Sequence, residues 1–336
     1  MVRTQGVFRG LFSYAAPVAA VFLLAACAAP KQPNGEAANP VLAAETAPSA
    51  QRFPTSPPPA PVVELSPSKA EPTRALRIGL ALGGGAARGF SHVGVIKVLE
   101  ANGIHIDVVT GTSAGSMVAV MHASGMTGTQ LQQAAHTMDE ATLADWTLST
   151  RGMIKGEALQ SYINAQVKNR TLERMVKPVG VIATDFESGA PVVFTRGNAG
   201  MAVRASASIP GVFSPSKIDG KTYVDGGLSS PVPAKAAKGL GADFVIAVDI
   251  SARPGRPPEG LAATLNQTVA IMGQNLRIEE LKHFADVVIH PSIDHISGTD
   301  FTVRSTLITE GEKAARTHLD ELRSKITAAK LRLNLR

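Results

Sequence analysis

The chain has 336 residues, 44% of them hydrophobic and 18% charged, enough to build a sizeable core and too apolar for a wholly disordered protein. Its single cysteine excludes an internal disulfide framework and any Cys-rich zinc or iron–sulfur site. A net charge of +6 suits attraction to anionic lipid but is too diluted along the chain to argue for nucleic acid.

Residues 1–26 read as a secretory address. Arg3 and Arg9 supply positive charge, and Leu11–Ala26 is almost wholly apolar yet short for a spanning helix. The stretch ends in Leu24-Ala25-Ala26-Cys27, which resembles the lipobox of bacterial lipoproteins. That resemblance implies lipidation of Cys27, a mature chain beginning there, and anchorage to a membrane of the bacterial cell envelope. Ala28 in place of an aspartate favours the outer membrane if the cell is Gram-negative. Residues 27–74 form a tether: 28–73 hold 11 of the 22 prolines and show neither helical nor strand periodicity. As a flexible coil such a segment spans roughly 35–40 Å.

From Leu76 the pattern changes. Leu76–Leu82 is an apolar strand running into glycines, followed by a helix over Phe90–Asn102. Ile104–Thr110 is a second strand, leading through glycines into a helix over Ala114–Ser124. Further strands are expected at Val179–Thr184, Val192–Thr195, Lys221–Val224, Phe244–Ile250 and Val287–His290. Helices are expected at Glu157–Val167, Pro233–Lys238, Leu261–Lys282 and Thr309–Leu333. Alternation of this kind predicts an α/β layered fold with a mostly parallel sheet over residues 75–300, followed by a helical segment over 301–336. Reactive groups in such folds gather at the carboxyl ends of strands, where both glycine clusters fall.

The first cluster is Gly83-Gly84-Gly85-Ala86-Ala87-Arg88-Gly89. Such a turn aims backbone N–H groups at an anion: a dinucleotide, a nucleotide triphosphate or an oxyanion. The glycine spacing does not fit a dinucleotide fingerprint, and the Gly-Lys-Ser/Thr of a P-loop is absent. The second cluster, Gly111-Thr112-Ser113-Ala114-Gly115, is a G-x-S-x-G elbow at a strand-to-helix turn, where small neighbours let a strained serine project its hydroxyl. A serine needs a base, and Asp225-Gly226-Gly227 after the Lys221–Val224 strand offers a carboxylate. An ordinary carboxylate is weaker than imidazole by roughly 2.6 pKa units, so it serves only if held against the hydroxyl in a dry site. Among eight histidines, His92 reads as packing, while His290 and His318 lie where a conventional triad would permit them.

Taken in order, these pieces resemble the bacterial branch of the patatin-like phospholipases from about Leu76 to Pro291. The match includes Gly89-Phe90-Ser91-His92-Val93-Gly94-Val95, Gly152-Met153-Ile154-Lys155-Gly156 and Ala205-Ser206-Ala207-Ser208-Ile209-Pro210. The resemblance implies a three-layer α/β/α fold and a Ser113–Asp225 dyad. It also implies an oxyanion hole from the N–H groups of Gly84, Gly85 and Ala86. Gly83, Arg88, Gly89, Gly111, Gly115, Gly226 and Gly227 would support these groups. Ala86-Ala87 give the longer bacterial form of the loop, which leaves open which N–H groups face the oxyanion. Arg88 would steady the loop or meet a substrate phosphate; neither Ser206 nor Ser208 lies on an elbow that would make it a second nucleophile, and Ser208-Ile209-Pro210 would shape the cleft wall. The implied activity is hydrolysis of phospholipid or lysophospholipid esters without metal or cofactor. A transacylase with the same dyad and a non-catalytic lipid-binding lipoprotein are the competing expectations.

Overall fold

The computed structural model describes residues 74–138, 156–255 and 260–335. Cys27, the leader, the proline-rich stretch and residues 152–155 of the Gly152–Gly156 motif lie outside them. Short apolar runs become strands β1 (Ile78–Leu82), β2 (Val108–Thr112), β3 (Val179–Asp185), β7 (Phe244–Val248) and β8 (Val287–Ile289), all mutually parallel. They are buried almost throughout because both faces of the sheet are covered. Three further strands are antiparallel: β4 (Pro191–Phe194) on β3, β6 (Lys221–Asp225) on β3, and β5 (Ser216–Ile218) on β6. The spatial order is β5-β6-β3-β2-β1-β7-β8, with β4 also on β3.

Side-chain size separates the faces. Leu80, Leu82, Ile246 and Val248 join one large core with α1 (Phe90–Ala101), α2 (Ala114–Ala123), α3 (Gly128–Thr137) and α4 (Glu157–Gln166). Ala81, Val245 and Ala247 point the other way, into a smaller core with α6 (Ala234–Gly239) and α7 (Leu261–Phe284). Leu80, Leu82 and Ile246 are fully buried, each contributing about 1.5–3 kcal/mol. The described chain is therefore the expected α/β/α arrangement around a mostly parallel sheet, completed by α5 (Ala199–Ser206), α8 (Arg304–Thr317) and α9 (Leu319–Leu333).

Three expectations are corrected in detail. The second strand begins at Val108, because Asp107 turns aside to accept the Ile78 N–H at 2.8 Å; it ends at Thr112, directly before Ser113. The helix expected over Thr309–Leu333 is two helices. His318 breaks it, its Nδ1 2.7 Å from the Ala314 carbonyl, and Asp320 and Glu321 open the next first turn, where acidic side chains complement the helix dipole. Helices α3 and α5 were not foreseen. Their caps are local: Thr127 and Gln130 form a reciprocal capping box, and Asn198 accepts the Met201 N–H at 2.8 Å. In the C-terminal segment Leu322 is buried, with Leu319 and Ile326 packed against the main core.

Candidate active site

β2 and β6 follow one another along the same edge of β3. Thr112 pairs with Ile182 and Asp225 with Ala183, so the residue after Thr112 arrives beside the end of β6. This register is what brings Ser113 and Asp225 together across more than a hundred residues.

Ser113 takes φ 51° and ψ −122° between β2 and α2, a conformation costing of order 1–3 kcal/mol in a residue with a side chain. The surroundings hold it there. Its N–H donates to Ser206 Oγ at 2.8 Å, and Ser206 Oγ donates in turn to the Ile182 carbonyl. Ser116 donates its hydroxyl to the Ser113 carbonyl at 2.6 Å and its N–H to the same oxygen at 2.9 Å, starting α2. On the far side Gly115 lies against the end of β1, so close that a Cβ there would stand 2.2 Å from the Leu82 carbonyl oxygen.

Asp225 is buried, and Oδ1 accepts the Gly227 N–H at 2.7 Å. Burial pushes its carboxyl up to about 6, against the opposing pull of the Gly227 N–H and a side-chain hydrogen bond with Ser113. The Asp225 N–H donates to the Ser208 carbonyl at 2.9 Å, and Thr184 Oγ1 donates to the Asp225 carbonyl at 2.8 Å. Residues 206–208 thus hold both partners, Ser113 through a side chain and Asp225 through a carbonyl. From sequence, Ser206 and Ser208 are set aside as nucleophiles and only Ser208-Ile209-Pro210 is given to the cleft wall. The Ser-x-Ser pattern gave no local sign of a bond spanning 93 positions.

The glycine loop comes from the end of β1 to the same place. A Cβ on Gly84 would lie 3.2 Å from Ser113 Cβ. The expected set of oxyanion donors is corrected here: the Gly84 N–H is already given to the Pro231 carbonyl at 3.0 Å, as that of Gly83 is to Val248. Gly85 and Ala86 have no hydrogen-bond acceptor for their N–H groups among the described residues, and Ala86 holds φ 49°. Arg88 Nε donates to the Ile296 carbonyl at 3.0 Å and the Ala87 N–H to Gly298 at 2.8 Å, strapping the loop to the chain beyond β8. His92, fully buried as expected, has Nε2 2.8 Å from the Gly83 carbonyl. Burial pushes its pKa down to about 4, so the ring is neutral at pH 7 and Nε2 carries the donated proton.

The other histidines weighed for a triad have partners elsewhere. His290 Nδ1 is 2.7 Å from the Asp249 carbonyl, and His318 contacts Ala314 and Thr317. Beside the loop lies an apolar depression lined by Ala86, Phe90, Met117, Met138 and Phe301.

Part of the chain is similar to known proteins. Residues 80–238 match the family model described as patatin-like phospholipase. An uncharacterized NTE family protein of Mycobacterium tuberculosis is 35% identical over 204 residues, covering 57% of this chain and 56% of its own. Patatin-like phospholipase domain-containing protein 6 of Homo sapiens is 33% identical over 184 residues, 52% of this chain and 13% of that protein. The chain thus spans little more than half of the first relative and a small part of the second. In fold it is similar to VipD from Legionella pneumophila, with a TM-score of 0.51 at 16% identity over 73% of this chain and 67% of that one. The stretch that matches the patatin-like phospholipase model, residues 80–238, is the one that carries the glycine loop, the serine elbow and Asp225.

Proposed function

We propose that this protein is a serine lipid acyl hydrolase acting on phospholipid or lysophospholipid esters through a Ser113–Asp225 dyad. The observation that carries the reading is a serine on a strained elbow, hydrogen-bonded to a buried carboxylate whose pKa burial raises to about 6. The shift makes Asp225 a stronger base by about two units than a free aspartate, each unit being worth about 1.4 kcal/mol.

Asp225 takes the Ser113 proton as Oγ bonds to the ester carbonyl carbon, and the negative charge moves to the carbonyl oxygen. The Gly85 and Ala86 N–H groups are the donors left to meet it. When the tetrahedral intermediate collapses, the alcohol leaves with the proton from Asp225, and Ser113 is acylated. Water then attacks the acyl carbon with Asp225 again as base, releasing the fatty acid and restoring the serine. Lipidation at Cys27 would hold this chemistry near a membrane of the cell envelope.

A fluorophosphonate ester tests the reading, with the adduct mapped by mass spectrometry. Labelling is expected at Ser113, with a rate set by ionised Asp225. It should be flat well above pH 6 and fall about tenfold per unit below it, where the base is protonated. An acid limb near 4 would mean a solvated carboxylate, and absence of labelling in folded protein would sink the hydrolase reading.

Ser206 gives a finer test. Ser206→Ala strips the Ser113 N–H and the Ile182 carbonyl of their shared partner, a loss of about 1–3 kcal/mol. Because the strain it opposes is at the nucleophile, kcat is expected to fall about tenfold or more, with KM within twofold of wild type.

A further inference from the structure

We infer that the outer face of α7 is a docking surface for a lipid bilayer, laying the domain on the membrane next to the dyad; this deepens the lipid-hydrolase reading and rests on it. The helix packs Leu281 and Phe284 on the smaller core beside buried polar pairs, and also turns apolar side chains outward. On its inner side Arg277 pairs with Asp249 at 3.3 Å, both nearly buried. Glu280 accepts the Ser230 hydroxyl at 2.7 Å and the Lys235 N–H at 3.0 Å. On its outer side Ile271, Met272, Leu276 and Ile278 are 53%, 68%, 45% and 47% exposed. At 100° per residue these four fall within an arc of about 160°. No charged residue occurs from Leu261 to Leu276.

The same arc holds exposed Asn275 and Glu279, so the face is amphipathic, with four large apolar side chains that water does not favour, the mark of an interaction site. Its position favours a bilayer as the occupant. A Cβ at Gly273 would lie 3.7 Å from Pro231 and 3.8 Å from the Gly227 carbonyl, so α7 packs against the turn whose N–H groups hold Asp225 and whose Pro231 carbonyl holds Gly84. A lipid ester must reach Ser113 from a membrane, and α7 packs on the turn that follows Asp225. The exposed Lys282 lies one turn past the patch, where an ammonium meets anionic headgroups, and the chain's net charge of +6 acts in the same sense. No helix among the described residues is long and apolar enough to cross a membrane, so α7 would lie in the interface plane.

The test uses the chain from residue 27 onward with Cys27→Ala, so that neither the apolar leader nor acylation masks binding, and vesicles of phosphatidylcholine with phosphatidylglycerol. The comparison is the same protein carrying Ile271→Gln, Met272→Gln, Leu276→Gln and Ile278→Gln. Co-sedimentation with vesicles and hydrolysis of vesicle phospholipid are expected to fall at least tenfold together. Hydrolysis of a water-soluble short-chain ester and the melting temperature should stay unchanged. Vesicle binding equal to that of the unsubstituted face overturns the proposal. So does a concentration-dependent dimer lost on substitution without loss of vesicle binding, since a second copy would then cover the face. Face-dependent vesicle binding by a protein that hydrolyses neither substrate would uphold the docking surface while removing the hydrolase reading.

Discussion

Asp225→Asn is expected to lower kcat for ester hydrolysis by about 10³–10⁴-fold, and Ser113→Ala to leave only background. The asparagine keeps the shape of the side chain and its Oδ1 still accepts the Gly227 N–H, so the turn holding Gly226–Leu228 has no reason to move. What is lost is the titratable acceptor that, among the described residues, is hydrogen-bonded to the Ser113 side chain. The substitution also removes a carboxyl that burial penalises when ionised. With a folded pKa raised above the unfolded value, the ionised aspartate costs stability above pH 6, and that cost fades as pH falls through the window between about 6 and 4. Asp225→Asn should therefore melt at or above the wild-type temperature at pH 8, with the advantage shrinking at pH 5. A variant that is both inactive and less stable would point to a structural role. One that keeps more than a tenth of wild-type kcat would mean that another group removes the serine proton. Turnover of a chromogenic ester and thermal melts at the two pH values decide between them.

The serine and the aspartate were legible because each is marked by local constraint. A G-x-S-x-G after an apolar strand and a D-G-G after another specify turns that few side chains permit. The pairing of the two was not local: it depends on β6 continuing along β3 where β2 stops, a register no motif displays. The same holds for the N–H groups proposed to meet the oxyanion. From sequence Gly84, Gly85 and Ala86 are equivalent, and only the arrival of Pro231 beside the loop takes the Gly84 N–H out of use. Ser206 is set aside as a nucleophile because it lies on no elbow of its own, yet its oxygen bridges Ser113 and Ile182. Arg88 was left between a structural and a substrate role, and its Nε bond to Ile296 favours the first. The α3 helix was missed although the sequence carries its Thr127-x-x-Gln130 signature, and the C-terminal helix was drawn through His318 because its apolar spacing continues across the break.

Gly115→Ala is expected to be the most damaging single-methyl change at the site. The new Cβ would stand 2.2 Å from the Leu82 carbonyl oxygen and 2.6 Å from that of Gly83, both backbone atoms at the end of β1. No rotamer relieves such a contact. Relief by backbone movement is opposed from two sides: Leu82 pairs in register with Gly111 on β2 and Val248 on β7, and the Gly83 N–H is fixed to the Val248 carbonyl. The overpacking cost is put at about 3 kcal/mol, a fall in melting temperature of roughly 6–12 °C for a domain of this size. Any shift that does occur is transmitted to Gly85 and Ala86, two and three residues from the collision, and to Ser113, two residues before it. Labelling of Ser113 should thus slow by more than the lost stability explains, when measured well below the melting temperature. Gly189→Ala supplies the contrast. It also replaces a glycine, at φ 71°, but nothing lies within 4 Å of its added Cβ. There only the left-handed backbone is penalised, by about 1–2 kcal/mol, with labelling unchanged. Equal effects of the two substitutions on labelling would show that the tight approach of the elbow to β1 does not position the site.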